Sequence, residues 1–145
     1  MLFRSHPLDG FGVLFPRLEK RFCLGAIFSS TLFPGRAPEG KVALMCFIGG
    51  VQQPQNGELP TPDLVRETVK DLRPLLGINA DPEFISHEFW PRAIPQYDVG
   101  HEVFLDSLKS IEEQFEGLHL HGNFRGGPGL NDCLESALRF AGDLD

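Results

Sequence analysis

The run Phe22-Cys23-Leu24-Gly25-Ala26-Ile27-Phe28 decides the fold of this chain, because it is uncharged and has the length of a buried strand. A second apolar run precedes it at residues 10–16, and a third follows at residues 41–48 and ends at Gly49-Gly50. Glycine, proline and charged residues separate the three runs, which predicts strands joined as a meander. Since the runs are almost continuously apolar, we expect both faces of their sheet to be covered.

A helix is predicted after the polar linker at residues 52–60. Thr61 is a suitable N-cap, Pro62 suits the first helical position, and Gly77 is a helix stop. Apolar side chains recur at helical spacing and should form its buried face: Leu64, Val65, Val69, Leu72, Leu75 and Leu76.

Four more elements complete the predicted order. Partial alternation indicates a strand at residues 83–90, and a helix should run from about His101 to Phe115. A short strand is predicted at residues 118–122, followed by a glycine-rich loop and a last helix from about Asn131. The fold class is therefore α+β, with three strands, helix, strand, helix, strand and helix in sequence.

Composition excludes several classes of protein. The 145 residues carry a net charge of −7 without a basic cluster, which argues against a nucleic-acid partner. No apolar run is long enough to span a membrane, and the first residues lack the apolar region of a signal peptide, so we expect a cytoplasmic protein. Thirteen phenylalanines against one Trp and one Tyr suit either a core or a pocket for a large flat ligand, and the core interpretation is favoured.

The residues that most often carry chemistry form no recognisable catalytic or metal-binding pattern. The three cysteines lack CxxC spacing and are expected to be reduced structural thiols. His119 and His121 would share one face of the predicted strand at 118–122, without a third metal ligand at a standard spacing. Ser29-Ser30-Thr31 has no base nearby in sequence and is interpreted as strand-end hydroxyls. We therefore predict no catalytic residue and no metal site.

The glycine-rich stretch from Gly122 to Cys133 is the most informative segment. A glycine turn between a strand and a helix N-terminus lets backbone N–H groups approach an anion or a polar ring edge. Its spacing is not GxGxxG, so on spacing alone an ordinary loop with Asn131 or Asp132 capping the helix is the favoured interpretation.

Five stretches resemble, in order along the chain, the C-terminal third of the oxygen-dependent protoporphyrinogen oxidase family of flavoenzymes. They are Gly10-Phe11-Gly12-Val13-Leu14-Phe15-Pro16, Ser29-Ser30-Thr31-Leu32-Phe33-Pro34-Gly35-Arg36-Ala37-Pro38, Ile48-Gly49-Gly50, Trp90-Pro91-Arg92-Ala93-Ile94-Pro95-Gln96-Tyr97 with Gly100-His101, and Gly122-Asn123-Phe124 through Asn131-Asp132-Cys133-Leu134-Glu135-Ser136. The second and fourth stretches are specific to this family, and their sequences are most similar to its bacterial and plastid branch.

The resemblance implies a fold and a set of ligand contacts. Residues 1–116 would belong to the mixed or antiparallel sheet of a substrate-binding domain with flanking helices. Residues 117–145 would be the strand–loop–helix that closes a Rossmann domain over FAD. On that basis Gly122 and Asn123 approach the pyrophosphate and ribityl chain, and Gly129, Leu130 and Asn131 approach the pyrimidine edge of the flavin. In the substrate pocket, Phe33 is expected to pack on the tetrapyrrole, and Leu14 is the second pocket residue.

The resemblance also implies an activity, oxidation of protoporphyrinogen IX to protoporphyrin IX with O₂ in haem and chlorophyll synthesis. Hydride passes from a methylene-bridge carbon to flavin, and the protein supplies positioning and a dry apolar pocket. The family's dinucleotide fingerprint is absent from these residues, so we expect the chain alone to bind FAD weakly or not at all and to be inactive. The full-length enzyme would lie in the cytoplasm or at the membrane surface.

Two other hypotheses remain beside this one. The chain could instead be a stand-alone tetrapyrrole-binding or interaction module without redox activity. A related amine or carotenoid oxidase shares the glycine loop but not the second and fourth stretches, and is disfavoured. Because the predicted strand at 118–122 has no sheet partner in the sequence, we expect either an exposed edge that forms a homodimer or a rearranged C-terminus.

Overall fold

The computed structural model describes residues 2–4 and 8–142. The strands are β1 (Leu2–Arg4), β2 (Gly12–Leu14), β3 (Cys23–Ile27), β4 (Lys41–Ala43) and β5 (Met45–Ile48). The helices are α1 (Ser29–Leu32), α2 (Pro54–Gly57), α3 (Thr61–Leu76), α4 (His101–Gln114) and α5 (Leu130–Gly142), with a 3-10 turn at Arg17–Glu19. This confirms an α+β composition with small antiparallel sheets.

Contacts divide the chain into a first unit, Met1–Phe89, and a second unit, Trp90–Asp145. The predicted boundary at residue 116 is a different one. It separates the residues expected to contact substrate, 1–116, from those expected to contact flavin, 117–145, and it stays a prediction. In the part of the chain that the structure describes, no helix is long and apolar enough to cross a membrane.

The predicted meander is present in the first unit, where β3 lies between β2 and β5 and pairs antiparallel with both. The third apolar run, predicted as one strand, is divided at Leu44, since β4 pairs with β1 while β5 pairs with β3. The side-chain alternation is nevertheless continuous, because Leu44 is a core residue and the even-numbered side chains on either side pack against the same core: Val42, Cys46 and Ile48. The run therefore changes its hydrogen-bonding partner without changing the face it buries.

The prediction that both faces of this sheet are covered is wrong. The core lies on one face only and consists of Leu8, Cys23, Phe28, Leu44, Leu72 and Ile78. On the opposite face, Leu14, Met45 and Phe47 are 84%, 55% and 43% exposed. One layer of helix in the first unit leaves the second apolar face free.

Helix α3 supplies the covering layer and ends where its sequence indicates, although Leu75, predicted on its buried face, is exposed. Leu64, Thr68 and Leu72 are buried, and Gly77 closes the helix in the left-handed conformation that glycine adopts most easily. Asp71 fastens the helix to β3, because its carboxylate accepts the Cys23 N–H at 3.1 Å and an Arg21 N–H at 3.4 Å.

Thr61 was predicted as the N-cap of this helix, and this is wrong by one residue. Pro60 occupies the cap position, and Thr61 is the first helical residue. The Thr61 hydroxyl instead pairs with His87 Nδ1 at 3.0 Å.

Neither predicted strand after α3 forms. Residues 84–90 are irregular and pair with no strand. Side chains hold this segment instead, through a salt bridge between Lys41 and Glu83 and a hydrogen bond between Thr61 and His87. Residues 118–121 are also irregular, because the backbone of Leu120 bonds to side chains. The homodimer was expected to form through an exposed edge strand at 118–122, and that strand is absent from the structure.

The second unit is organised by one ion pair. Arg125 donates two N–H groups to the two carboxylate oxygens of Glu112, at 2.8 and 2.9 Å, and a further bond to Leu120 O at 2.8 Å. Glu112 also accepts the Leu120 N–H at 2.7 Å. The bonds from Arg125 first, and then that from Leu120, lower the pKa of Glu112 to about 2.

Truncation of Leu72 should destabilise the first unit strongly, because this side chain is fully buried at the centre of the core. We expect Leu72→Ala to lower the free energy of unfolding by about 2–5 kcal/mol. Urea denaturation measures it, with Leu75→Ala on the same helix, 41% exposed, as the control. Equal losses for the two variants would contradict the packing described here.

Neutralising Glu112 should destabilise the second unit at neutral pH but not in acid. The folded-state pKa is about 2, below the unfolded value of about 4.3, so the stabilisation is present above the unfolded value and is lost as the pH falls through the folded value. The stabilities of wild type and Glu112→Gln should therefore converge between about pH 4 and pH 2. The control is Glu113→Gln, which changes an exposed neighbour; a gap for Glu112→Gln that persists in acid would contradict the ion pair.

Candidate functional site

The open face of the three-stranded sheet is the first candidate site. Strand register places Gly12, Ile27 and Met45 side by side across the three strands. The neighbouring row consists of Leu14, Gly25 and Phe47. Backbone bonds from Phe28 N–H to Phe11 O and from Phe15 N–H to Leu24 O extend the ladder at both ends.

Two positions of this face, Gly12 and Gly25, carry no side chain. A Cβ on Gly12 would lie 2.3 Å from the carbonyl oxygen of Ala26, and one on Gly25 would lie 2.5 Å from that of Val13. Neither position therefore accepts a side chain without a shift of the neighbouring strand. The Leu14 side chain lies over Gly25 and is mostly exposed, so the surface here is apolar, which suits contact with an apolar ligand.

The two residues expected in the substrate pocket lie on different elements of the first unit. Leu14 ends β2 and projects from the open face. Phe33 caps α1 in an extended conformation, is 54% exposed, and has the Arg36 guanidinium 5.7 Å from its ring centroid. The hydroxyls before Phe33 are structural, since Thr31 donates to Leu8 O at 2.6 Å and Ser30 accepts from Ala43 N–H at 3.0 Å.

A groove of about 850 Å³ lies between α3 and the segment that follows it. Its cations are each paired with an acid, Arg66 with Asp63 and Glu67, Lys70 with Glu67, and Arg73 with Asp81. Paired in this way, they offer an anion little net attraction.

The glycine loop, residues 122–129, is the second candidate site and lies in the second unit. Gly126 and Gly127 have φ angles of +88° and +131°, which disfavour other residues. The loop folds back through a bond from Arg125 N–H to Gly122 O at 3.0 Å. It runs directly into α5, whose first intrahelical bond joins Cys133 N–H to Gly129 O.

The residues expected to contact flavin are brought together in this loop and the start of α5. Leu130, Asn131 and Asp132 open the helix, so their N–H groups have no intrahelical partner. The Gly129 N–H, by contrast, donates to Asp132 Oδ2 at 3.1 Å. Asp132 thus caps the helix, as the alternative interpretation of the sequence allowed, and the N–H groups of Leu130, Asn131 and Asp132 stay without an intrahelical acceptor.

Two residues beside the loop were not identified from the sequence. The Tyr97 hydroxyl donates to Asn123 O at 2.7 Å and accepts the Gly127 N–H at 3.1 Å. His101 Nε2 lies 2.8 Å from Phe124 O. Both belong to the fourth family-like stretch, and that motif was the signal that could have identified them.

Two further histidines, His119 and His121, and the thiols of Cys23 and Cys46 have structural surroundings. The rings of His119 and His121 contact Phe140 of α5, at centroid distances of 4.8 and 5.8 Å. Burial raises the pKa of Cys23, and it raises that of Cys46 to about 11, so both thiols are poor nucleophiles at neutral pH. Among the described residues, no three potential ligands cluster as a metal site.

Comparison with known proteins extends over nearly the whole chain. Residues 3–145 match the family of flavin containing amine oxidoreductases. The chain is 40% identical over 141 residues to a chloroplastic protoporphyrinogen oxidase of Nicotiana tabacum, a match that covers 94% of this chain and 26% of the relative. It is 26% identical over 128 residues to a coproporphyrinogen III oxidase of Bacillus subtilis, with 88% of this chain and 27% of the relative covered.

A solved structure shows the same fold. A protein of Exiguobacterium sp. 255-15, provisionally named protoporphyrinogen oxidase, superposes with a TM-score of 0.81 at 22% identity. The superposition covers 99% of this chain and 33% of the other. The chain thus spans about a quarter of the length of the curated relatives it matches, and it belongs to the flavin containing amine oxidoreductase family.

Proposed function

We propose that this chain is the C-terminal portion of an enzyme that oxidises protoporphyrinogen IX to protoporphyrin IX with O₂. The observation that carries the proposal is the 40% identity to a plant protoporphyrinogen oxidase over nearly the whole chain. The open face of the first unit supports it, because the apolar surface of a tetrapyrrole macrocycle packs favourably on exposed apolar side chains. A coproporphyrinogen oxidase is also similar, so the broader proposal is that the substrate is a porphyrinogen. The narrower proposal is that this porphyrinogen is protoporphyrinogen IX and not one with a different set of carboxylates.

FAD is the cofactor that the family implies, and the glycine loop has features that fit it. The loop brings bare backbone close to its surface, and the N–H groups of Leu130 and Asn131 open a helix of thirteen residues. When bound, FAD supplies the hydride acceptor and the reaction with O₂. Gly122 and Asn123 would lie along the diphosphate and ribityl chain, and Leu130 and Asn131 would donate to the pyrimidine edge of the ring.

The chain's own part in the reaction is binding and exclusion of water. Leu14 and Phe33 would contact the macrocycle, and Met45 and Phe47 would extend the same apolar surface. An apolar surface that displaces water favours hydride transfer over competing proton exchange with solvent. No side chain of the described residues is assigned as a catalytic acid or base.

The 145-residue chain by itself is expected to bind FAD weakly and to have no turnover, since it spans about a quarter of its relatives. It should still bind a porphyrin, because the open face lies wholly within the first unit. Porphyrin binding without redox activity is also what the alternative of a stand-alone tetrapyrrole module predicts. Turnover by the 145 residues with added FAD would contradict the incomplete-enzyme part of the proposal.

A charge on the open face should weaken porphyrin binding. We expect Leu14→Glu to raise the Kd for protoporphyrin IX about tenfold or more, because a carboxylate would face an apolar ring and its anionic propionates. Quenching of porphyrin fluorescence measures it.

The matched control is Leu18→Glu, which alters a leucine that is 91% exposed in the 3-10 turn of the same unit. Equal Kd values for the two variants, with both folded by circular dichroism, would show that the porphyrin does not bind on the open face.

A further inference from the structure

The connection before α4 contacts the glycine loop through a series of aromatic rings. Tyr97 stacks on His101 at a centroid distance of 4.3 Å with planes 9° apart. His101 then meets Phe104 at 5.6 Å, and Phe104 meets the edge of Phe124 at 6.0 Å. Phe124 belongs to the loop, so the series begins in the connection and ends in the loop.

The Tyr97 hydroxyl bridges two ends of the loop. It donates to Asn123 O and accepts the Gly127 N–H, groups that lie four residues apart in sequence. A phenol can do both at once, because its oxygen carries a proton and free lone pairs. Phenylalanine would keep the ring stack and lose both bonds.

His101 holds the peptide between these two points. The partner of its Nε2 is the Phe124 carbonyl oxygen, which can only accept, so Nε2 carries the proton in this contact. Two side chains from outside the loop thus bind three backbone groups within residues 123–127. Gly126 and Gly127 lie within this stretch, and glycines lose the most conformational freedom when ordered.

We infer that Tyr97 and His101 are positioning residues that hold the glycine loop in one conformation in the free protein. The loop conformation sets where the N–H groups at the start of α5 point, since Gly129 joins the two without an intervening segment. The positioning role itself does not depend on the proposed function. Only its consequence for flavin binding rests on that function, which assigns flavin to this loop.

The hydroxyl is tested by Tyr97→Phe in the whole chain. Losing the bond from Gly127 should speed water exchange of the Gly127 amide about five- to tenfold in NMR, the size expected for one hydrogen bond. The Leu120 amide, which lies outside the loop and donates to Glu112, should exchange at the same rate in both proteins and is the internal control. Unchanged Gly127 exchange would overturn the inference.

The imidazole is tested by a rescue pair. In His101→Gln an amide N–H can replace Nε2, so the carbonyl carbon shift of Phe124 should stay close to wild type. In His101→Leu, which offers no donor, that shift should change. Equal shifts in the two variants, at equal urea midpoints, would mean that His101 only packs and would overturn its role.

Titration with millimolar FAD separates this inference from the proposed function, because NMR detects weak binding. Shifts at Leu130 and Asn131 that weaken in Tyr97→Phe support both. If Tyr97→Phe speeds Gly127 exchange but FAD shifts neither amide in wild type, the positioning role stands and the flavin assignment fails. If Gly127 exchange is unchanged while FAD shifts both amides, the flavin assignment stands and the positioning role fails.

Discussion

The burial of Leu72 of α3 against β3 is the contact on which the first unit depends. The three strands are apolar on both faces, and in the described part of this unit α3 packs on one of these faces. Asp71 fixes that choice of face by binding the backbone of Cys23. Among the described residues the opposite face therefore remains apolar and exposed, and it is there that we propose a tetrapyrrole binds.

The second unit is held together in a different way. None of its described residues is fully buried, and Leu130, Leu134 and Leu138 of α5 are 77%, 55% and 74% exposed. Directional polar contacts take the place of a core, with Glu112 and Arg125 holding the segment before the glycine loop. Tyr97 and His101 hold the loop itself. A loop held by hydrogen bonds can keep a defined backbone geometry without the packing that a core would require.

Local signals were sufficient for part of this structure. Residues 22–28 and 61–77 combine apolar pattern with turn or cap residues, and both elements formed with nearly the predicted bounds. The strand predicted at 118–122 failed because the side chains of Glu112 and Arg125, distant in sequence, satisfy the Leu120 backbone. The division of the third apolar run at Leu44 into two strands could not be predicted, because inward and outward side chains alternate without interruption across it. The loop was found from its glycines, whereas the contacts that hold it come from Tyr97 and His101, outside the loop.

The central claim is that the open face of the sheet binds a planar tetrapyrrole. Methyl NMR of the chain with protoporphyrin IX tests it most directly, because the ring current of a porphyrin shifts upfield those methyl groups that lie over its face. The claim predicts large upfield shifts at Leu14 and Met45 and none at Val65 and Val69, which line the groove beside α3. Large shifts at the two valines with none at Leu14 and Met45 would contradict it.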